Sequence, residues 1–289
     1  MITPRYLDDT AAKRLVFFTG KGGVGKSSVA WATALALHRR GLRVRLAAWA
    51  PFEDVSVAPP AGVPDAKFPV HSLETLSAFR EYALRILRFG ALYDTVFDNK
   101  ILRTFLLAAP GLAETVIAGK IMDLVDRQEQ DVLVVDLPAS GHAESFFRSS
   151  NGIRKIFPAG FVHRQATRIV EMYEQPWCRV DLVALPEDLP LRECVELHDR
   201  LSAVQPLRFG FLHVNQRAPY LAVPATPADA PPLVVESLNR YRARLAQETE
   251  ALRLAEPLAM PQFEIPQFAG SAGPVVDAMA RHFAEEAKS

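Results

Sequence analysis

Apolar positions along the chain follow two alternating periods. Short runs rich in β-formers occupy 14–19 (RLVFFT), 42–49 (LRVRLAAW), 131–136 (DVLVVD), 179–185 (RVDLVAL) and 208–214 (RFGFLHV), with a briefer one at 257–261. Between them the spacing turns helical. In SSVAWATALALHRRG, Val29, Thr33, Ala36 and Leu37 recur on one face, and Gly41 offers a C-cap. Further helices are predicted at 142–150, within 161–173, and at 190–203, 233–255 and 274–287. The first strand, loop, helix and strand form a βαβ unit, which implies a parallel sheet. DVLVVD is nearly all apolar and ends in a carboxylate, as a central strand buried on both faces would.

Residues 72–129 read as several helices with little strand character, and 216–232, rich in Pro and Ala, as an irregular surface loop. No internal repeat is present. The expected architecture is one doubly wound α/β domain over 1–289, with a mostly parallel sheet and a helical insertion at about 72–129.

Composition narrows the partners. Lys+Arg and Asp+Glu balance at 33 each in 289 residues, so no global field draws the chain to nucleic acid or acidic lipid. Its two cysteines, Cys178 and Cys194, are too far apart for a CxxC knuckle and read as reduced thiols. No apolar run approaches the roughly 20 residues of a membrane span, and the first residues lack a signal peptide's apolar core. The expectation is a cytoplasmic protein without direct membrane insertion.

The chemistry concentrates between the first strand and the first long helix. Gly20-Lys21-Gly22-Gly23-Val24-Gly25-Lys26-Ser27 fits G-x-x-x-x-G-K-[ST], in the strand-to-helix context the motif requires. Its glycines let the backbone turn so that successive N–H groups can face phosphate oxygens. The helix start adds favourable dipole potential for an anion. Lys26 is the candidate for the β- and γ-phosphates, Ser27 for Mg²⁺ and Ser28 for the α-phosphate. ATP and Mg²⁺ are the expected cofactors.

Lys21 is not demanded by the bare motif. K-G-G-V-G-K resembles the deviant loop of a group holding the Min- and Par-type partitioning ATPases, the nitrogenase iron protein and the arsenite-pump and tail-anchored-targeting ATPases. Over nearly its whole length the chain is most similar to the last of these, the anion-transporting ATPase family. The resemblance implies that Lys21 reaches a partner subunit's nucleotide, where a cation can neutralise charge on the transferred phosphoryl group. DLPASGHA, 136–143, resembles the family's switch II; Asp136 would hold a Mg²⁺-bound water and Gly141 would sense the γ-phosphate, with His142 beside them. APGLAETVIAGKIMDLV, 109–125, resembles a helix start near the dimer face, with Glu114 carried over. LVALPEDLPLRECVELHDRL, 182–201, and HVNQ, 213–216, resemble the adenine-binding segments. Asn215 is the base-reading candidate, because an amide both donates and accepts, and Pro186 and Glu187 would line the same pocket.

Two departures matter. Where the family's switch I has its water-orienting Asp, this chain has Ala50, whose methyl cannot accept a hydrogen bond. Base catalysis alone contributes about 10²–10⁴ in rate, so slow hydrolysis is expected unless Glu53 or Asp54 substitutes. The loop 216–232 also lacks the C-x-x-C of zinc-sharing members, and two cysteines do not make the trio of the arsenite-pump members, so neither zinc nor arsenite is an expected ligand.

The resemblance implies a dimer, either a homodimer or a heterodimer with a related ATPase, and an apolar protein client. A client groove would come from 72–129 or from FFRSSNGIRKIFPAGF, 146–161, unless the aromatics of the latter face the core. Three functions follow: a client-coupled ATPase, a non-catalytic ATP-binding scaffold subunit, or a Min/Par-type positioning switch. The last would want a lipid-binding C-terminal helix or a basic nucleic-acid face. Val275, Met279 and Phe283 share one side of the C-terminal helix, which carries three acids, and it reads as a packing helix.

Overall fold

The computed structural model describes residues 5–49, 63, 67–74, 78, 111–219 and 230–286. Ala50, Glu53 and Asp54 lie outside the described residues, as does most of the expected helical insertion. Seven strands form one parallel sheet: β1 (Leu15–Gly20), β2 (Val44–Trp49), β3 (Val70–Leu73), β4 (Val132–Asp136), β5 (Cys178–Ala184), β6 (Phe209–Arg217) and β7 (Gln262–Pro266), in spatial order β3-β2-β4-β1-β5-β6-β7. The chain builds outward to one side of β1 and then to the other. The ends of β1 and its neighbours therefore form a topological switch point, where α/β sheets bind ligands.

Both faces of the sheet are covered, which is why the central strands are apolar without alternation. On one face Leu15, Phe17, Leu133, Val135 and Leu182 pack against α3 (Leu112–Asp126), α4 (Ser140–Ile156), α5 (Gly160–Glu174) and α6 (Asp188–Val204). On the other, Val16, Phe18, Val134 and Val183 meet α1 (Tyr6–Ala11), α2 (Lys26–Arg39) and α8 (Ala272–Glu286). Met279 and Phe283 of α8 are buried there as expected, with Val276 buried and Val275 only partly so, and the helix packs on the core.

Three expectations on element boundaries change. Residues 70–73 form a short edge strand where the helical stretch was expected to begin. The strand expected at 257–261 lies instead at Gln262–Pro266, where Phe263 and Ile265 point inward. The preceding residues continue α7 (Pro232–Leu252) as a 3₁₀ turn, Arg253–Leu258, which ends at Ala259 with φ 50°. α4 runs on to Ile156, past the predicted 150, because Phe146, Ser150 and Ile153 keep a buried face at helical spacing. Among the described residues no helix is long and apolar enough to cross a membrane.

Candidate functional site

The P-loop joins the end of β1 to the start of α2, and two of its glycines are sterically enforced. A Cβ on Gly20 would sit 2.2 Å from the Val183 carbonyl oxygen of the neighbouring strand. Gly25 has φ 90°, and a Cβ there would come within 2.3 Å of Asn215 Nδ2. No side chain caps α2, so its first-turn amides have no intrahelical partner and remain available to an anion.

Lys26, Ser27 and Asp136 come together at the adjoining ends of β1 and β4. Asp136 closes β4, the neighbour of β1. Ser27 and Lys26 both lie close enough to its carboxylate to favour the charged form. Burial pushes the Asp136 carboxyl above its ordinary range, opposed by Ser27 and by the Lys26 charge. Burial likewise lowers the Lys26 ammonium, with Asp136 pulling it back up. Lys26 Nζ donates to the Lys21 carbonyl at 2.9 Å, folding the side chain back over its own loop. Asp136 Oδ1 is buried with no hydrogen-bond partner. Such an oxygen is costly unless a ligand, ion or water completes it.

Lys21 does not point into this cluster. Its ammonium pairs with Glu193 on α6. Glu193 lies in the 182–201 segment but is not one of the candidate residues there. The switch II segment abuts the loop: a Cβ at Gly22 would meet Ala139 Cβ at 3.9 Å. Gly141 and His142 are exposed in the first turn of α4, and the His142 amide donates to the Ala139 carbonyl at 3.0 Å. Glu114 stands in the first turn of α3, where it accepts a 3.0 Å bond from the Ser145 hydroxyl and ties α3 to α4. Ser28 follows half-buried on α2.

Asn215 reaches the loop from β6. Its Nδ2 donates to the Val24 carbonyl at 2.9 Å, and its Oδ1 accepts the Gln216 amide at 3.0 Å. The side chain thus braces the loop directly, a role the motif did not suggest. Beside it opens a cavity of about 840 Å³, lined by Pro186, Glu187, Gln216, Arg244, Gln247 and Gln267 among others. Pro186 and Glu187 line this cavity, whereas Asn215, expected in the same pocket, is not on its wall but immediately precedes Gln216, which is. Gln216 holds the left-handed region at φ 63°; Arg244 donates to its carbonyl at 3.0 Å and to Gln267 Oε1 at 2.9 Å. Arg244 lies on α7 and Gln267 just after β7, and neither is among the candidate residues the sequence offers.

No cluster of His, Cys, Asp and Glu able to hold a metal ion occurs among the described residues. Cys178 and Cys194 are both buried free thiols, and burial pushes Cys194 up to about 12.

Comparison with known proteins agrees with this geometry. A family model described as ParA, NUBPL iron-transfer P-loop NTPase, matches residues 10–145. The chain is similar to the ATPase BagA of Mycobacterium tuberculosis, 27% identical over 224 residues, covering 71% of this chain and 66% of the relative. It is also similar to the arsenical pump-driving ATPases of Escherichia coli, 30% identical over 231 residues, and Acidiphilium multivorum, 29% over 231; each alignment covers 69% of this chain and 39% of the relative. The chain thus spans under two thirds of these relatives' length. The parallel sheet and the loop at its switch point are those of an α/β P-loop NTPase, and the sequence is similar to the ParA-type and arsenical pump-driving ATPases.

Proposed function

We propose that this protein is an ATPase that binds Mg²⁺-ATP across the β1, β4 and β6 strand ends and works as a dimer, coupling nucleotide state to a client or partner. The observation that carries the reading is the open oxygen of Asp136 beside Ser27 and Lys26. The residues fit the cofactors. Gly20–Ser28 supply backbone donors and the Lys26 charge for phosphates. Ser27 and Asp136 supply the oxygen donors that Mg²⁺ prefers. The neighbouring cavity, with Gln216, Gln247, Gln267 and Arg244, suits the base and sugar. When bound, Mg²⁺ would neutralise charge accumulating on the phosphates.

The chain's own residues have definite tasks in this scheme. Lys26 leaves the Lys21 carbonyl to meet phosphate oxygens. Asp136, its charge favoured by Lys26 against the cost of burial, orients hydrogen-bond donors. Asn215 keeps Val24 and the loop in register. Lys21 exchanges Glu193 for the phosphates of a facing subunit. Ala50 cannot hold an attacking water, so turnover by this chain alone is slow, and a catalytically complete relative would raise it in a heterodimer. The fitting experiment measures Mg²⁺-dependent ATP turnover of the pure protein and of Ala50→Asp, with oligomeric state followed in parallel. The reading expects low wild-type turnover, at least tenfold faster in Ala50→Asp. Fast wild-type turnover that disappears in Lys26→Ala would defeat the slow-site part and leave ATP binding intact.

A further inference from the structure

Helices α4 and α5 pack against each other and are joined by a tip whose surface is unlike the rest of the molecule. Of the seven large hydrophobic side chains exposed among the described residues, four lie here within seven positions: Ile156, Phe157, Phe161 and Val162. Ile156 is 68% exposed and Phe157 44%. The segment the sequence singled out, 146–161, therefore divides. Phe146 and Phe147 are fully buried against Phe17 and Tyr173, whereas Phe157 and Phe161 face solvent.

The tip is held in shape. His163 Nδ1 lies 2.8 Å from the Phe157 carbonyl and 3.2 Å from that of Arg154, so a proton on that nitrogen closes the turn. Charge around it has one sign. Arg154, Lys155 and Arg164 flank the apolar residues, and no Asp or Glu occurs between Glu144 and Glu171. Arg148 and Arg168 further out are neutralised by Glu144 and Asp126, but none of the three tip cations has an ion-pair partner among the described residues. Arg164 instead leans over the Phe161 ring at 6.0 Å.

We propose that this tip docks the protein on an anionic lipid surface, with Phe157, Phe161 and Ile156 at headgroup depth and Arg154, Lys155 and Arg164 on the lipid phosphates. Two features favour a bilayer over a protein helix. The surface is a convex turn, whereas a helical partner needs a groove, and the described cavities are lined by residues elsewhere. Aromatic side chains flanked by cations are the composition of interfacial anchors. The attachment is peripheral and spans nothing. It does not depend on the nucleotide reading. α4 is 17 residues long, so it carries the tip about 25 Å along its axis from the Asp136 end.

The test is sedimentation of the full chain with vesicles of phosphatidylcholine alone and of phosphatidylcholine with phosphatidylglycerol, at low and high salt. ATP affinity and far-UV circular dichroism are recorded for every variant. The wild type is expected to pellet with the anionic vesicles only, and less at high salt. Lys155→Glu with Arg164→Glu should weaken this by about thirtyfold or more, from removal of two surface cations alone. Phe157→Ser with Phe161→Ser should weaken it comparably while leaving dichroism and ATP affinity unchanged, since both rings are exposed. Absence of pelleting with anionic vesicles, equal pelleting with neutral ones, or wild-type pelleting by both double variants would overturn the proposal. So would capture of an apolar peptide at the tip without vesicle binding. A protein that binds no ATP but shows the expected vesicle pattern would leave this inference standing and remove the nucleotide reading.

Discussion

Two aspartates on the strands that flank β1, Asp136 half-buried at a strand end and Asp181 fully buried, are treated in opposite ways. Asp181 on β5 is saturated. Its Oδ1 accepts the Phe211 amide at 3.0 Å, and its Oδ2 accepts Arg179 at 2.8 Å and His213 Nε2 at 3.1 Å. Arg179 is further held by Asp9 and by the Thr10 hydroxyl of α1. Burial alone would raise the Asp181 carboxyl, but the Arg179 charge and the donors from His213 and Phe211 outweigh it and hold it below its usual range. Asp136 on β4 keeps one oxygen bare, and its carboxyl is raised. A buried carboxylate with donors on both oxygens is a structural fastener, here pinning α1 to the sheet. One left partly unanswered at a loop edge is a place for a ligand.

The largest effect should come from breaking the closed cluster. Arg179→Met leaves Asp181 charged and enclosed, which typically costs about 3–5 kcal/mol. Denaturant unfolding of the apoprotein should show that loss. A change below about 1 kcal/mol would mean that Asp181 is not the fastener described. Acid sharpens the same point. Burial lowers the His213 imidazole below 6.5, against the bond from Asp181 that raises it. The unfolded chain therefore takes up this proton first, and stability should fall as pH drops below about 6.5 and level off once the folded imidazole also protonates. The Asp181 contribution, carried by a depressed carboxyl, is lost only in more acid solution, below 3.8. His213→Gln should flatten the first of these two slopes and leave the second, which a pH series of melting midpoints can read.

Smaller changes are expected around the open site. Asn215→Ala removes the brace on Val24 and leaves a buried carbonyl without its donor, a cost of about 1–3 kcal/mol. Unfolding and ATP titration should both register it, and a loss confined to stability would make Asn215 purely structural. Glu193→Gln frees Lys21 from a pair that is partly open to solvent. Stability should move by less than about 1 kcal/mol, while ATP affinity should rise a few-fold and lose that gain in Glu193→Gln with Lys21→Ala. An unchanged affinity would show that Glu193 does not compete with phosphate for Lys21.

The sequence made the Asp136 side of this comparison readable and left the Asp181 side hidden. Lys26 and Ser27 stand in a motif whose spacing follows from phosphate geometry, and the family resemblance of 136–143 implied that Asp136 would join them, so their meeting could be anticipated. Arg179 and Asp181 also alternate visibly within RVDLVAL, yet nothing local says that the partner is Asp9, 170 residues earlier. The strands of the core were legible because burial on both faces makes them continuously apolar. The edge strand Val70–Leu73 was not, being four residues with only Leu73 fully buried. The strand Gln262–Pro266 was displaced because Pro257 can be carried in a 3₁₀ turn, a local choice that propensity does not determine. The wall of the base cavity was hidden for a similar reason. Arg244 and Gln247 belong to a helix whose polar face looks solvated until the fold brings it against the ends of β6 and β7.

The contrast between a closed and an open buried carboxylate rests most directly on what Asp136 does for nucleotide. ATP binding to the purified protein should be titrated with and without Mg²⁺, in the wild type and in Asp136→Asn. The account predicts saturable wild-type binding that Mg²⁺ strengthens at least tenfold, and an Asp136→Asn protein that folds at least as stably at neutral pH but gains nothing from Mg²⁺. Equal Mg²⁺ enhancement in both proteins, or no ATP binding by the wild type, would contradict it.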